Sequence, residues 1–381
     1  MLALAPWALA AVAGAAWWRE RSNPPAKATP GMSEPAPPTP AQAEAQEPGR
    51  GRAARSPLAI PALGWRDIAW RTWRETGADR LTSAAGSATY YTLLAVFPAL
   101  GVFVSLYGLF ADVAAVREQL AQLSSIFPPE AVRLIGEQMM RLATGRAASL
   151  SLAFVVSLLL SVWSASAGMK SLFDGLNTAY DETERRSYFA RAALTYGFTA
   201  ALLVFLTLVS GILVAAPILL DALRLRSDLL IAARWPLVYL VAATAFTVVY
   251  RYGPSRRRAR WAWLVPGGAT AALVWMGGSA GFSWYLNHVI RLDATYGSLG
   301  AIIGFMLWVW FSVMVVLIGA EFSAEIEHQT AQDTTIGPEL PMGQRGAAMA
   351  DTLGAPFVGL RKGAGLVLGG VRRRIGKLRD R

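Results

Sequence analysis

The stretch YGSLGAIIGFMLWVWFSVMVVLIGAE, residues 296–321, decides the fold of this chain. It holds no ionisable side chain between Gly297 and Ala320. A helix of this length, rising about 1.5 Å per residue, crosses a hydrocarbon core of about 30 Å with some tilt. Because a backbone in lipid must satisfy its own hydrogen bonds, we predict a membrane-spanning helix that ends at Glu321.

Glycine pairs predict close helix packing in this stretch and in the apolar run before it. Gly300 and Gly304 form one such pair, and Gly277 and Gly281 form another. The second pair also fits the G-x-S-x-G pattern of a nucleophile elbow, which needs a strand, a sharp turn and a helix. Here it lies inside an apolar run, so we expect it to serve helix packing.

Composition places the whole chain in the same class. Of its 381 residues, 54% are hydrophobic and 16% are charged, whereas a soluble domain carries roughly 25% charged residues. Long apolar runs recur, so the predicted fold class is all-α, a polytopic membrane helix bundle. The net charge of +11 suits cytoplasmic loops and anionic lipid headgroups, and we expect no nucleic-acid partner.

The apolar runs predict six core transmembrane helices, near residues 84–110, 149–167, 192–220, 230–250, 261–286 and 296–321. An amphipathic interfacial helix over 64–75 precedes the first of them, with Trp65, Ile68 and Trp73 on its apolar face and basic side chains toward the headgroups. Residues 111–147, between the first and second spans, are predicted to form an extracytoplasmic helical hairpin that is too polar to cross the bilayer.

Four regions follow from these patterns. Residues 1–21 are an apolar segment, and whether it forms an extra membrane helix or a poorly inserted tail stays open. Residues 22–63 are rich in proline and alanine and are predicted to be a disordered linker. The membrane bundle occupies 64–328, and 329–381 are predicted to be a basic, largely disordered cytoplasmic tail.

Basic residues set the predicted orientation. They are densest at the span ends in 169–191 and 251–260, and Lys and Arg mark cytoplasmic loops. We therefore place these loops and both flanks of the bundle in the cytoplasm, which makes the chain a multi-pass protein of the plasma membrane.

The sequence offers little for catalysis. Its two histidines, His288 and His328, are expected on opposite faces of the membrane. No phosphate-binding loop, dinucleotide fingerprint or paired metal-ligand spacing stands in a fitting context. We therefore expect no enzyme activity, no cofactor and no metal, and regard a ribonuclease as excluded for lack of acid–base groups.

The segment 169–188 carries the most informative polar pattern. On a helix, four of its polar side chains share one face, at i, i+4, i+7 and i+11: Lys170, Asp174, Asn177 and Asp181. Lys170 and Asp174 are predicted to pair, and Tyr180 lies on the neighbouring apolar face. The face either lines the cytoplasmic mouth of a pathway or belongs to a solvated helix docked on the bundle.

Three further residues are candidates for the pathway. Glu321 is predicted to pair with Arg80, Lys170 or a basic loop, either as a structural latch or as a proton-coupled site. Tyr90 and Tyr91 bring hydrogen-bonding groups to the first span, where they either line a cavity or bond neighbouring helices.

Three ordered motifs carry a resemblance to a known family: LTSAAGSATYYTLLAVFPAL at 81–100, SAGMKSLFDGLNTAYDETERR at 166–186 and YGSLGAIIGFMLWVWFSVMVVLIGAEFSAEIEH at 296–328. With this spacing, residues 64–328 resemble the YihY/virulence factor BrkB family of bacterial inner-membrane proteins. The resemblance implies six membrane helices with both termini inside, and a transport or export role. It also implies that the older ribonuclease label on such sequences is a misassignment. The apolar N-terminus departs from the pattern.

These patterns and the resemblance together predict an inner-membrane transporter or exporter of a polar or amphiphilic solute. The predicted pathway or substrate-binding residues are Tyr90, Tyr91, Lys170, Asp174, Asn177, Tyr180 and Glu321. The alternative is a non-transporting membrane scaffold or envelope-assembly factor. The expected partners are the lipid bilayer and its anionic headgroups, and self-association into a homo-oligomer stays open.

Overall fold

We describe the chain from a computed structural model. The structure describes residues 37–107, 152–202, 228–288, 292, 296 and 299–357. Within these ranges the regular structure is helical, with one isolated antiparallel bridge between Ala259 and Thr335. The predicted all-α class is confirmed. The apolar segment 1–21 and the predicted outer hairpin 111–147 lie outside the described residues.

The helices follow in chain order as α1 Pro40–Gln46, α2 Ala62–Ala78, α3 Leu81–Tyr107, α4 Leu152–Ala179, α5 at 188–202, α6 Asp228–Tyr252, α7 Trp261–His288, α8 Gly300–Glu327 and α9 Ala348–Asp351. A 3₁₀ turn at Pro57–Ala59 precedes α2. Within the described part of the chain, α8 is the one helix that is long and apolar enough to cross a membrane. The count of six spans stays a prediction.

Helix α8 contacts α2, α3, α4, α6 and α7. A helix that is apolar on all sides is stable only when its neighbours or lipid cover it. Leu317 of α8 is fully buried in the main core, together with Phe173 and Leu176 of α4 and Leu264 of α7. The stretch that we took as decisive is therefore the central packing element of the described bundle.

Helix α7 approaches its neighbours closely at Gly267 and Gly268, which are not the glycines predicted on this helix. A Cβ on Gly267 of α7 would overlap the Ser323 hydroxyl of α8, and a Cβ on Gly268 would overlap the Thr247 hydroxyl of α6. By contrast, a Cβ on Gly277 or Gly281 would meet no atom of the described residues within 4 Å. Among these residues the predicted packing role of Gly277 and Gly281 therefore finds no second helix.

The other predicted pair, Gly300 and Gly304, is buried in α8. Their role in helix packing stays a prediction.

Helix α4 runs without a break through the point where we expected a span to end. The sequence predicts a span over 149–167 and a separate polar segment from 169, but Leu152–Ala179 is one helix. It ends in a Schellman motif: Asp181 has φ 52°, and the Glu182 N–H donates to the Asn177 carbonyl at 2.8 Å. No proline interrupts 152–179, so the helix continues until the left-handed residue turns the chain.

The predicted disordered linker is wrong for its described part, residues 37–63. Helix α1 begins with a capping box in which Thr39 and Gln42 bond each other's backbone N–H. Farther on, the Arg52 guanidinium donates to the Gln329 carbonyl at 3.2 Å, and the Ala331 N–H donates to the Arg52 carbonyl at 2.7 Å. The proline-rich segment is ordered because it pairs with residues beyond α8, which its own composition does not reveal.

The predicted disordered tail is likewise folded over 329–357. Its centre is Arg345, whose guanidinium donates to four carbonyls: Ala331 at 2.7 Å, Gln332 at 3.1 Å, Leu340 at 3.1 Å and Ala350 at 2.6 Å. A buried guanidinium satisfied in this way holds a loop that has almost no regular structure. Residues 358–381 lie outside the described residues.

The predicted interfacial helix forms as α2, but with a different orientation. Ile68 is buried as expected. Asp67 and Arg71 are buried too, whereas the Trp73 side chain is 85% exposed. Ile68 and Trp73 therefore do not share one face, and ion pairs with other parts of the chain draw Asp67 and Arg71 inward, while Arg66 and Arg74 stay exposed. The interfacial position of α2 stays a prediction.

Candidate functional site

Two groups of charged side chains lie near the ends of α2, α4 and α8. The first, the inner cluster, consists of two buried ion pairs, Arg71–Glu325 and Arg256–Glu327. The Arg71 and Glu325 side chains are only 1% and 2% exposed. Arg71 also donates to the Gln329 side-chain oxygen at 2.7 Å, so the guanidinium is fully engaged.

The second pair of the inner cluster is equally well enclosed. The Thr334 hydroxyl donates to the Glu327 carboxylate at 2.8 Å, while the Arg256 guanidinium lies 4.4 Å from the Tyr180 ring centroid. Burial raises the pKa of the Tyr180 phenol above its ordinary value, which the nearby Arg256 charge only partly offsets. Tyr180 is thus a buried, neutral ring beside Arg256, and its predicted place in a pathway stays a prediction.

Glu321 lies one turn before the inner cluster on α8 and behaves differently. It is 0% exposed, and neither of its carboxyl oxygens has a hydrogen-bond partner among the described residues. The predicted pairing with Arg80, Lys170 or a basic loop does not form there. Because α8 continues past Glu321 to Glu327, the arginines meet Glu325 and Glu327 instead.

Asn177 holds the end of α4 to the loop before α7. Its side-chain oxygen accepts the Ser255 N–H at 2.7 Å, and its amide donates to Glu184 at 3.2 Å. Burial alone would raise the pKa of the Glu184 carboxyl, but hydrogen bonds from the Arg186 backbone N–H, Ser255 and Asn177 lower it overall. Asn177 is thus a buried side chain that joins α4 to this loop, and its predicted place in a pathway stays a prediction.

The second group lines a cavity of about 570 Å³, here named the side cavity, between α3, α4 and α5. Its lining is Ser87, Tyr91, Trp163, Ser166, Ala167, Lys170, Ser171, Asp174, Glu184, Arg186, Tyr188, Arg191, Ala192, Thr195 and Tyr196. Aromatic rings, hydroxyls and five charged groups therefore face one space. Ligand-binding cavities commonly measure about 300–1,000 Å³.

Most of the charged side chains that line the side cavity already have ion-pair or hydrogen-bond partners. Arg191 pairs with Asp174 and lies 3.7 Å from Glu184. Arg186 donates to the carbonyl of Gly253 at 2.9 Å. The predicted Lys170–Asp174 pair is wrong, because Arg191 of the next helix takes the carboxylate. The Lys170 ammonium makes no ion pair or hydrogen bond with any described residue.

The structure therefore brings only some of the predicted pathway residues to the side cavity. Tyr91, Lys170 and Asp174 line the side cavity. Tyr90 is exposed and contacts Tyr91 edge-on, with ring centroids 5.4 Å apart, but it does not line the cavity.

Sequence reasoning also missed residues that complete the lining: Trp163, Glu184, Arg186, Tyr188 and Arg191. A helical spacing from Trp163 to Lys170 was the available signal for the first of them. The others lie beyond α4, and only the packing of α5 against it brings them into the cavity.

The described residues offer no further catalytic arrangement. They contain no group of three or more acidic or histidine side chains placed to hold a metal ion. The G-x-S-x-G match lies within α7, where the Ser279 hydroxyl accepts a hydrogen bond from the Trp308 indole at 3.2 Å. A serine inside a helix does not form a nucleophile elbow.

Comparison with known proteins gives the family. A family profile described as "Virulence factor BrkB" matches residues 72–341. A Bacillus subtilis protein, YfkH, whose name describes it as ribonuclease-like, is 30% identical over 257 residues, or 64% of this chain and 88% of its own length. No solved structure shows a significant match to this chain.

Two further relatives carry the name UPF0761 membrane protein. The one from Alkalilimnicola ehrlichii is 29% identical over 64% of this chain and 55% of its own length, and the one from Rhodospirillum centenum is 28% identical over 76% and 64%. This chain thus spans less than two thirds of either. The profile match covers most of the chain and includes α8 and the side-cavity residues of α3, α4 and α5. The chain is a membrane protein and belongs to the Virulence factor BrkB family.

Proposed function

We propose that this protein is a multi-pass transporter or exporter of a polar or amphiphilic solute in the bacterial inner membrane. The observation that carries the proposal is the side cavity, which combines about 570 Å³ of space with both charged and aromatic walls. By contrast, the main core around α8 is filled by packed side chains such as Phe173 and Leu317. A space lined in this way suits a solute with a polar end and an apolar part.

The proposed arrangement uses six membrane helices with both flanks inside the cell. Large apolar side chains are exposed along the described helices, among them Leu159, Leu160, Leu240, Leu273 and Trp284. An exposed apolar surface of this kind suits lipid better than water. The basic loop 251–260 supports an inner location for the end that carries the side cavity.

Transport is tested by blocking the cavity. Untargeted lipid and metabolite profiles would be compared in a deletion strain complemented with wild type, with Ala167→Trp, which fills the cavity, or with Leu273→Trp on an exposed face. We expect one solute class to accumulate in the deletion strain and to return to normal with wild type and Leu273→Trp only. Full complementation by Ala167→Trp would contradict transport through the cavity and favour the scaffold alternative.

Orientation is tested by labelling, since the chain has no cysteine of its own. A single cysteine at the exposed Arg258 position should resist a membrane-impermeant thiol reagent in intact cells and react after the membrane is opened. Labelling in intact cells would invert the proposed topology.

A further inference from the structure

One face of α4 changes from apolar to charged along its length. The residues of this face recur at helical spacing from Val156: Val156, Leu160, Trp163, Ala167, Lys170 and Asp174. The first three are exposed, with 57% of Trp163 accessible. The last four line the side cavity. At about 1.5 Å of rise per residue, Trp163 and Lys170 lie roughly 10 Å apart along the axis.

The charged end of this face favours an anion. Three cations and two carboxylates line the cavity, which leaves a net charge of +1: Lys170, Arg186 and Arg191 against Asp174 and Glu184. Both carboxylates lie within 4 Å of Arg191. Lys170 is the charge without a partner among the described residues, so its ammonium is available to a ligand.

Hydroxyl groups beside Lys170 complete a site for a multivalent oxyanion. The Ser171 and Ser87 hydroxyls bond each other at 2.8 Å, and Tyr91 and Ser166 line the same space. Phosphate oxygens accept hydrogen bonds from hydroxyls and from a lysine ammonium together. A carboxylate has fewer oxygens to share among these donors.

The apolar end distinguishes a lipid from a soluble phosphate. Leu160 and Trp163 are exposed beside the cavity, and Tyr188 and Tyr196 line it. Trp and Tyr prefer the depth at which lipid headgroups meet acyl chains. Because the cavity carries a net charge of +1, a headgroup without a positive charge of its own should bind more tightly than a zwitterionic one.

We propose that the side cavity binds an anionic membrane phospholipid, with its phosphate on Lys170 and an acyl chain along Leu160 and Trp163. The proposal that this lipid is the transported substrate rests on the proposed function above. The proposal that it binds in the side cavity depends on the cavity alone.

The test measures binding to the purified full chain in detergent. Phosphatidylglycerol and phosphatidylcholine with identical acyl chains would be titrated against wild type, Lys170→Gln and Arg185→Gln, and binding followed by native mass spectrometry. Arg185 is 69% exposed and does not line the cavity, so its variant controls for loss of surface charge. We expect phosphatidylglycerol to bind wild type and Arg185→Gln alike and Lys170→Gln about tenfold more weakly, as loss of one charge-assisted hydrogen bond implies.

A second arm separates the lipid from free phosphate. Inorganic phosphate should compete poorly with phosphatidylglycerol, and Trp163→Ala should weaken the lipid without changing phosphate binding. Equal binding of the two lipids, equal binding by wild type and Lys170→Gln, or full competition by inorganic phosphate would each overturn the lipid site.

Joint outcomes tell the two proposals apart. If Lys170→Gln loses the lipid but fully complements the deletion strain, the lipid site stands and its role as transported substrate is overturned. If Lys170→Gln binds lipid normally while Ala167→Trp fails to complement, the lipid proposal is overturned and the transporter proposal stands.

Discussion

The inner cluster and the side cavity are built from the same kinds of residue and serve opposite purposes. In the inner cluster, the ion pairs Arg71–Glu325 and Arg256–Glu327 have exposures of 0–2% and are completed by further hydrogen bonds. In the side cavity, the Asp174 side chain is 55% exposed even though it is paired, and Lys170 has no partner among the described residues. Buried, paired charges hold a fold together, whereas an accessible cation without a partner is available for a ligand.

The sharpest test of this difference is Arg71→Ala. Removing Arg71 takes the arginine partner from the buried Glu325 carboxylate and leaves His328 at 3.4 Å beside it, which should cost about 3–5 kcal/mol of unfolding free energy. Thermal unfolding of the purified protein in detergent would measure the effect. The control is Arg74→Ala on the same helix, where an exposed pair with Glu75 should contribute at most about 1 kcal/mol. Similar losses in both variants would show that burial does not separate the two classes of charge.

The next largest effect is expected from the packing that surrounds the inner cluster. Gly267→Ala would drive a methyl group into Ser323, which lies between the core residues Ala320 and Ala324 on α8. Overpacking of this kind typically costs about 1–3 kcal/mol. Gly277→Ala on the same helix meets no described atom within 4 Å and should be neutral or slightly stabilising, because alanine is the better helix former. The reverse order of unfolding midpoints would mean that α7 packs through Gly277.

A smaller effect should appear in the pH dependence of stability. Burial, followed by the carboxylates of Asp181 and Glu75, raises the pKa of Asp79 from 3.8 to about 6. The unfolded chain therefore loses this proton first, so stability should fall as pH rises from about 4 to about 6 and not change further from this group above that range. Asp79→Asn should remove that part of the decline in unfolding midpoint. If the unfolding midpoints of wild type and Asp79→Asn change with pH in parallel, the pKa of Asp79 is not raised in the folded protein.

The smallest stability change is expected in the side cavity itself. Asp174→Asn breaks an exposed pair with Arg191 and should cost at most about 1 kcal/mol. The same change raises the net charge of the cavity from +1 to +2, so phosphatidylglycerol should bind more tightly. Lipid titration beside the unfolding measurement checks both parts. A large loss of stability with no gain in binding would place Asp174 among the structural charges.

Local sequence patterns predicted where the helices form better than they predicted which side chains pair with each other. The apolar runs foretell α3, α6 and α7 with bounds near those observed, whereas α4 and α8 continue well past the predicted ends at residues 167 and 321. The i,i+4 rule fails for Lys170 and Asp174, because Arg191 of another helix competes successfully for the carboxylate. Likewise, nothing in the sequence near Arg71 reveals Glu325, which lies 254 residues later.

For the site, the spacing of polar residues along α4 places Lys170 and Asp174 on one face, and both line the side cavity. Asn177 continues this face but is buried at the end of the helix, where Tyr180 lies on the neighbouring apolar face. This helical register could be read from spacing alone. The approach of α5 on one side and of the 253–260 loop on the other could not, since both are tertiary contacts.

The hydrogen bonds that close the inner end join residues from opposite ends of the described chain. The Phe357 N–H donates to Asp67 at 3.0 Å across 290 positions, and the Ala331 N–H donates to the Arg52 carbonyl. During synthesis, Arg52 and Asp67 leave the ribosome long before their hydrogen-bond partners Ala331 and Phe357 have been made. The contacts of Arg52, Asp67 and Arg71 can therefore be completed only after residue 357 has been synthesised, so this end of the bundle closes late.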